Sequence, residues 1–233
     1  MDRVIVITGA TSGYGYAAAK KFAEAGDRVI AVARTASSVE DTKKTLGVDG
    51  FAANITSEDD WAALHDYVSA HYGRIDLLLN NAGGAIVIVP FLEQTSEQII
   101  DSVNLNLLGM IWGCKTFAPM MLKQESGTII NIASACATHC WPAYSVYAAA
   151  KAGMLSFSKS LYVELRPKGI RVTCMIPGAG DTPFCINAGQ GPNPMAMKAP
   201  DFAQAIVDVF NLPPHIVVED MTVWGIDQEL TPL

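Results

Sequence analysis

Short, continuously apolar runs alternate with longer segments carrying helix signals from one end of this chain to the other. This alternation, more than any other feature, limits what the chain can fold into. The runs fall at residues 4–7, 29–32, 77–79, 128–132, 172–176 and 221–224, with a weaker one at 50–53. A strand with one wet face alternates apolar and polar residues, whereas an unbroken apolar run suits a strand covered on both faces. Repeated strand–helix–strand units imply parallel pairing through right-handed crossovers. An α/β fold is therefore expected, a doubly wound parallel sheet of about seven strands with helices on both faces. Helix starts are legible too. Residues 56–60 join a capping Thr-Ser pair to early acids, and Thr95 and Gln98 have the spacing of a capping box. No linker, low-complexity tract or repeat divides the 233 residues, so one domain over 1–233 is expected.

One stretch breaks the pattern. Residues 181–200, rich in Gly, Pro, Asn and Met, follow the sixth run and precede a short helix expected at 201–211. A loop of that length inside a compact domain is functional or disordered. It also leaves the carboxyl end of a strand, where open α/β sheets bind ligands, so it reads as a substrate lid.

Composition narrows the class of partner. Half the residues are hydrophobic and 17% are charged, which suits a compact core and not a disordered chain. A net charge of −7, with no run of Lys or Arg, argues against a nucleic-acid partner. No stretch approaches the roughly 20 apolar residues of a membrane span, and the apolar run at 4–7 enters a glycine turn instead of continuing as a signal peptide. Cys114, Cys136, Cys140, Cys174 and Cys185 form an odd set with no CxxC pair. They read as reduced thiols of a cytoplasmic protein, and even with His139 they lack metal-ligand spacing, so no metal is expected.

The first run leads into Thr8-Gly9-Ala10-Thr11-Ser12-Gly13-Tyr14-Gly15, followed by a helix-like segment at 16–25. Glycines let the backbone turn sharply and approach a pyrophosphate, and the following helix N-terminus offers free N–H groups and a positive dipole end. Strand, turn and helix in that order make a Rossmann-type dinucleotide site credible, with an ordinary glycine turn as the alternative. The second run ends Ala33-Arg34-Thr35, where an NAD site places an acid on the ribose 2′-hydroxyl. Arginine instead suits a 2′-phosphate, and the Ser12 and Thr35 hydroxyls could add contacts. NADP(H) is thereby favoured over NAD(H), with a solvated surface arginine as the alternative.

Tyr147 and Lys151 lie four residues apart in a helical stretch from about 145 to 165, which stacks phenol and ammonium on one face. A nearby cation favours phenolate and suits the tyrosine to acid/base work near neutrality. A solvated helix pair is the plain alternative, but position weighs against it. Ser134 lies thirteen residues earlier, just past the fifth run, where its hydroxyl could donate to a carbonyl oxygen gaining negative charge. The fourth run ends Asn80-Asn81-Ala82-Gly83-Gly84, and a helical segment then carries Asn104, Asn106 and Gly109 among apolar residues. Asparagine is a poor interior helix former and costly to bury unpaired, so a hydrogen-bonding task is expected of it.

In order and spacing, these motifs resemble the classical short-chain dehydrogenases/reductases over the whole chain: Thr8-Gly9-x-x-x-Gly13-x-Gly15, Asn80-Asn81-Ala82-Gly83, Asn106 three before Gly109, Ser134, Tyr147-x-x-x-Lys151 and Pro177-Gly178-x-x-x-Thr182. The resemblance implies an oxidoreductase moving hydride between nicotinamide C4 and a carbonyl or secondary-alcohol carbon. Tyr147 would be its general acid/base, Lys151 would lower the Tyr147 pKa and bind the nicotinamide ribose, and Ser134 would hold the substrate oxygen. Asn106 would distort its helix and anchor a relay water. The cofactor groove would comprise Gly9, Thr11, Ser12, Gly13, Tyr14, Gly15, Arg34, Thr35, Asn54, Ile55, Asn81, Ala82 and Gly83, with Pro177, Gly178, Gly180 and Thr182 holding the nicotinamide. Asn54 stands where the family usually has Asp at the adenine.

Within the family the look is closest to bacterial NADP-dependent 3-hydroxy acid dehydrogenases. Yet the residues expected at the substrate are mostly apolar or aromatic: His139, Trp141, Pro142, Tyr144, Phe184, Met195 and Met197. Lys198 is the one lid cation that could meet a carboxylate, so a small apolar ketone or aldehyde stands beside a hydroxy acid. A homotetramer or dimer is implied. An NAD-linked alcohol dehydrogenase and a non-catalytic nucleotide-sensing protein remain as alternatives.

Overall fold

The computed structural model describes residues 2–187, 191 and 193–228. Its strands in chain order are β1 (Val4–Thr8), β2 (Arg28–Ala33), β3 (Asp49–Ala52), β4 (Leu77–Asn80), β5 (Gly127–Ile132), β6 (Ile170–Pro177), β7 (Gly180–Asp181), β8 (Met197–Lys198) and β9 (Asp220–Val223). The helices are α1 (Gly13–Glu24), α2 (Ala36–Leu46), α3 (Glu58–Tyr72), α4 (Ser96–Val103), α5 (Gly109–Gln124), α6 (Ser145–Leu165), α7 (Pro183–Asn187) and α8 (Ala199–Phe210). Seven strands form one sheet in the order β3-β2-β1-β4-β5-β6-β9, every pair parallel. This is the doubly wound Rossmann-type sheet that the apolar runs implied.

Residues of β1, β4 and β5 are buried throughout, and the alternation within each strand feeds two cores. On one face Val4, Val6, Leu78 and Ile129 pack with Trp61, Phe117 and Met154 of α3, α5 and α6. On the other, Ile5, Ile7, Leu79 and Ile130 pack with Phe22 of α1 and Phe202 of α8. The apolar runs of β1, β4 and β5 are continuous because both faces of the sheet are roofed there by helices. The runs expected to be covered at 50–53 and 221–224 instead form the edge strands β3 and β9, the first half-buried and the second mostly exposed.

The helix starts behave as their sequences dictate. Ser57 caps α3 by accepting from the Asp60 N–H at 3.2 Å. Thr95 and Gln98 close a full capping box on α4, at 3.2 and 2.9 Å. The stretch 181–200 is less irregular than its composition suggested. It contains α7, and β7 pairs with β8 as a two-stranded ladder; residues 188–190 and 192 lie outside the described residues. Pro200 sits in the first turn of α8, where its missing N–H is harmless.

The strand order decides where a ligand can sit. The chain steps outward from β1 through β2 to β3, then returns to the other side of β1 with β4. Crossovers therefore diverge at the carboxyl ends of β1 and β4, which opens a crevice there. No helix among the described residues is long and apolar enough to cross a membrane.

Candidate active site

The crevice begins at the turn after β1. Gly9 and Gly13 have φ of +66° and +53°, a left-handed backbone that a side chain would strain. Asn81, at the end of β4, ties this turn down. Its side-chain amide donates to the carbonyls of Thr8 (2.9 Å) and Gly9 (3.2 Å), while the Thr8 hydroxyl accepts from the N–H groups of Asn81 and Ala82, both at 3.0 Å. Ser12, the N-cap of α1, makes no side-chain cap bond, so the helix N-terminus meets the crevice without one. Arg34 projects at the end of β2, exposed and in no hydrogen bond or ion pair among the described residues.

A polar strut fixes the opposite wall. Asn80 of β4 donates to Asn131 of β5 at 2.9 Å, Asn131 donates to Ser158 of α6 at 2.9 Å, and Ser158 donates to the Met154 carbonyl at 2.7 Å. Every link is buried, so α6 is held in register with the β4–β5 ends. The first turns of α6 thereby bring Tyr147 against Ser134, which follows β5 in extended conformation.

Tyr147 and Lys151 are 8% and 3% exposed, one helical turn apart, with the Lys151 ammonium 5.8 Å from the phenol ring centroid. Lys151 donates to the Ile132 carbonyl at 2.9 Å. Burial raises the Tyr147 pKa well above its usual value, and the Ser134 hydroxyl pulls the other way. Burial also pushes Lys151 down from 10.5 to about 8. Between those two values the unfolded chain holds more protons at Lys151 than the folded one, so this group's contribution to stability rises with pH across that window. Unfolding titrations of wild type and Lys151→Met should therefore diverge in favour of wild type as pH climbs from 8 to 10.5. Parallel curves would remove the buried-lysine account.

Asn106 is fully buried in a π-helical turn, Asn104–Leu108, inserted between α4 and α5. Its amide donates to the carbonyls of Gly84 (2.9 Å) and Ser102 (3.0 Å) and accepts from the Gly84 N–H at 2.9 Å. The expected helix distortion is therefore present, and the side chain clamps the loop after β4. Gly83 fills the gap between Asn106 and Lys151; a Cβ there would stand 3.0 and 3.2 Å from their polar atoms.

Gly83, Ser134, Tyr147 and Lys151 border one cavity of about 860 Å³, whereas Asn106 lies buried behind its wall and does not line it. Of the residues expected at the cofactor, Gly9, Ser12, Gly13, Tyr14, Arg34, Asn54, Ile55, Asn81, Ala82, Gly83, Pro177, Gly178, Gly180 and Thr182 line it, as do Ser134, Tyr147 and Lys151. Thr11, Gly15 and Thr35 do not. Gly15 packs beneath the turn instead, where a Cβ would overlap the Gly9 carbonyl and the Asn81 amide.

A family model described as short chain dehydrogenase matches residues 3–193. The chain belongs to that family. A serine 3-dehydrogenase of Agrobacterium fabrum is 32% identical, with 98% of this chain and 96% of the relative aligned. The solved closed form of serine dehydrogenase complexed with NADP+ superposes with a TM-score of 0.93 at 26% identity, covering 99% and 98% of the two chains. A 3-ketoacyl-(acyl-carrier-protein) reductase from Brucella melitensis complexed with NADH gives 0.89 at 27% identity, covering 96% and 97%. The likeness to 3-hydroxy acid dehydrogenases inferred from sequence thus holds.

At the far end of this dehydrogenase cavity stand Trp141, Tyr144, Phe184 and Met195. Tyr144 and Phe184 meet the Tyr147 ring at 6.1 and 5.4 Å between centroids. Three expected residues lie elsewhere. His139 packs against Trp141 and Trp224 without lining the cavity, Pro142 is exposed, and Met197 is buried in the core beside α8. Sequence reasoning missed Ile86, Cys136, Trp224 and Gln228. Cys136 could have been suspected, two residues after Ser134. Trp224 and Gln228 come to the cavity only through the pairing of β9 with β6.

Proposed function

We propose that this chain is an NADP(H)-dependent oxidoreductase interconverting a ketone or aldehyde and the corresponding alcohol, with Tyr147 as general acid/base. The observation that carries this reading is the convergence of Ser134, Tyr147 and Lys151 on one wall of a cavity whose other end holds Arg34 without a partner among the described residues.

The residues present fit a nicotinamide dinucleotide. The left-handed Gly9 and Gly13 leave room for backbone to approach a pyrophosphate, and α1 offers an N-terminus without a side-chain cap. Arg34 offers a planar donor fork for a 2′-phosphate, with Ser12 beside the same crevice. Asn54 and Ile55 line the adenine end, and Pro177, Gly178, Gly180 and Thr182 line the nicotinamide end. The chemistry such a cofactor supplies when bound is transfer of two electrons as hydride.

The chain's own residues do the rest. Ser134 donates to the substrate oxygen and holds it against the phenol. Tyr147 Oη gives its proton to that oxygen during reduction and takes it back during oxidation. Lys151, charged at neutral pH, favours the phenolate that reduction leaves behind, and Asn106 holds the loop after β4 so that Gly83 keeps Lys151 in place. Residues 181–200 act as the lid of one domain spanning 1–233. A cytoplasmic homotetramer or dimer completes the reading.

NAD dependence is the second reading, favoured by the NADH complex of the Brucella reductase. Initial rates with NADPH and NADH over a carbonyl panel, for wild type and Arg34→Ala, separate the two. A charge-assisted contact contributes about 1.5–3 kcal/mol, so the variant should raise KM for NADPH about 10- to 100-fold and leave NADH nearly unchanged. An unaltered preference would exclude Arg34 from cofactor choice. Cofactor binding with no turnover of any carbonyl would point instead to a nucleotide-sensing protein.

A further inference from the structure

The charged side chains among the described residues lining the cavity are Arg34 and Lys151 alone. Arg34 stands at the end of β2 and Lys151 is bound to the Ile132 carbonyl under Gly83, so neither belongs to the far end beyond Tyr147. That end is walled by Trp141, Tyr144, Phe184, Met195 and Trp224, with the Tyr144 hydroxyl and the amides of Asn193 and Gln228 as neutral polar groups.

Lys198, the lid cation that could have met an anionic substrate, lies outside the cavity wall. It forms an ion pair with Asp181 at 2.8 Å across the β7–β8 ladder. His139 sits outside the wall, its ring against those of Trp141 and Trp224 and its Nδ1 2.9 Å from the Thr138 hydroxyl. The positions outside the described residues, 1, 188–190, 192 and 229–233, contain no Lys, Arg or His side chain.

We infer that the substrate of this site is uncharged and carries an aryl or bulky alkyl group beside the reacting carbon, with Trp141, Phe184, Met195 and Trp224 setting the choice. This rests on the dehydrogenase reading above and sharpens it. A carboxylate held at this end would shed part of its hydration and gain no cation among the described residues, which disfavours it against a neutral group. An apolar group there gains area burial against indole and phenyl faces. The inference therefore separates this chain from the Agrobacterium relative, whose name specifies serine, a substrate with a carboxylate.

A matched pair tests it: ethyl 3-oxo-3-phenylpropanoate and the free 3-oxo-3-phenylpropanoate anion, which share the reacting carbonyl and the ring. Calorimetric titration into Tyr147→Phe loaded with NADPH reads binding without chemistry. The ester should bind at least tenfold more tightly than the acid, and Met195→Arg in the same background should shrink that ratio at least tenfold by supplying the missing cation. Equal binding, tighter binding of the acid, or a ratio unmoved by Met195→Arg would overturn the inference. Turnover is measured separately with the wild-type enzyme. If no carbonyl of the panel, these two included, is reduced while the binding preference holds, the oxidoreductase reading fails and the neutral, apolar site stands.

Discussion

Replacing Tyr147 by Phe is expected to lower kcat by roughly a thousandfold or more, while the affinity for NADPH changes little. General acid/base catalysis typically contributes 10²–10⁴-fold, and this variant removes the phenol hydroxyl that is hydrogen-bonded to Ser134. The ring itself keeps its neighbours Tyr144 and Phe184, so the wall of the cavity stays in place. Steady-state rates with a responsive carbonyl, together with a fluorescence titration of NADPH, make the measurement. A variant turning over at the wild-type rate would show that the proton comes from another group. Loss of cofactor binding along with activity would show that the side chain supports the fold of the site and not its chemistry alone.

Gly15→Ala is expected to be the most damaging single methyl that could be added near the cofactor turn. Its Cβ would overlap the Gly9 carbonyl and the Asn81 amide, the two partners that fasten β1, α1 and β4 together. Overpacking of this kind costs about 3 kcal/mol at its upper end, which in a chain of this size corresponds to a fall in Tm of roughly 6–12 °C. NADPH binding should weaken as well, because the turn that presents the helix N-terminus must shift to admit the methyl. Thermal unfolding with and without NADPH reads both effects. An unchanged Tm would mean that the turn and Asn81 can separate without penalty, contrary to their hydrogen bonds.

The parts of this architecture that were legible in the sequence are those written in local periodicity. The runs at 4–7 and 77–79 became buried strands because both faces of the sheet are covered, and Thr95 with Gln98 closed the capping box that their spacing requires. Asn106 was legible for a different reason: an asparagine amid apolar helix must have a partner, and Gly84 and Ser102 provide three hydrogen bonds. Groups brought together by topology were not legible. Trp224 is separated from Tyr147 by most of α6, all of β6 and α8, and only the pairing of β9 with β6 returns it to the cavity. The fate of Lys198 was equally hidden, since Asp181 lies across a two-stranded ladder that no pattern of apolar residues announces. Met197 reads like Met195 in sequence, yet the same ladder turns one into the core and leaves the other on the cavity wall.

The π-helical turn at Asn104–Leu108 also acts as a phase shifter. An α-helix advances 3.6 residues per turn, so one residue is worth about 100° of rotation. The bond from the Gly109 N–H to the Asn104 carbonyl spans one residue more than a regular turn does, and α5 consequently starts out of angular step with α4. That offset is what points Gly113 at the Trp61 indole and the Asn80 side chain, contacts that leave no space for even a methyl. Shortening the chain by one residue at this junction would let the two helices merge into a regular cylinder, and α5 would turn a bulkier side toward Trp61. The distortion that seats Asn106 and the close packing of α5 on the sheet are thus one feature seen at two distances, so the site could not be straightened without unpacking the core behind it.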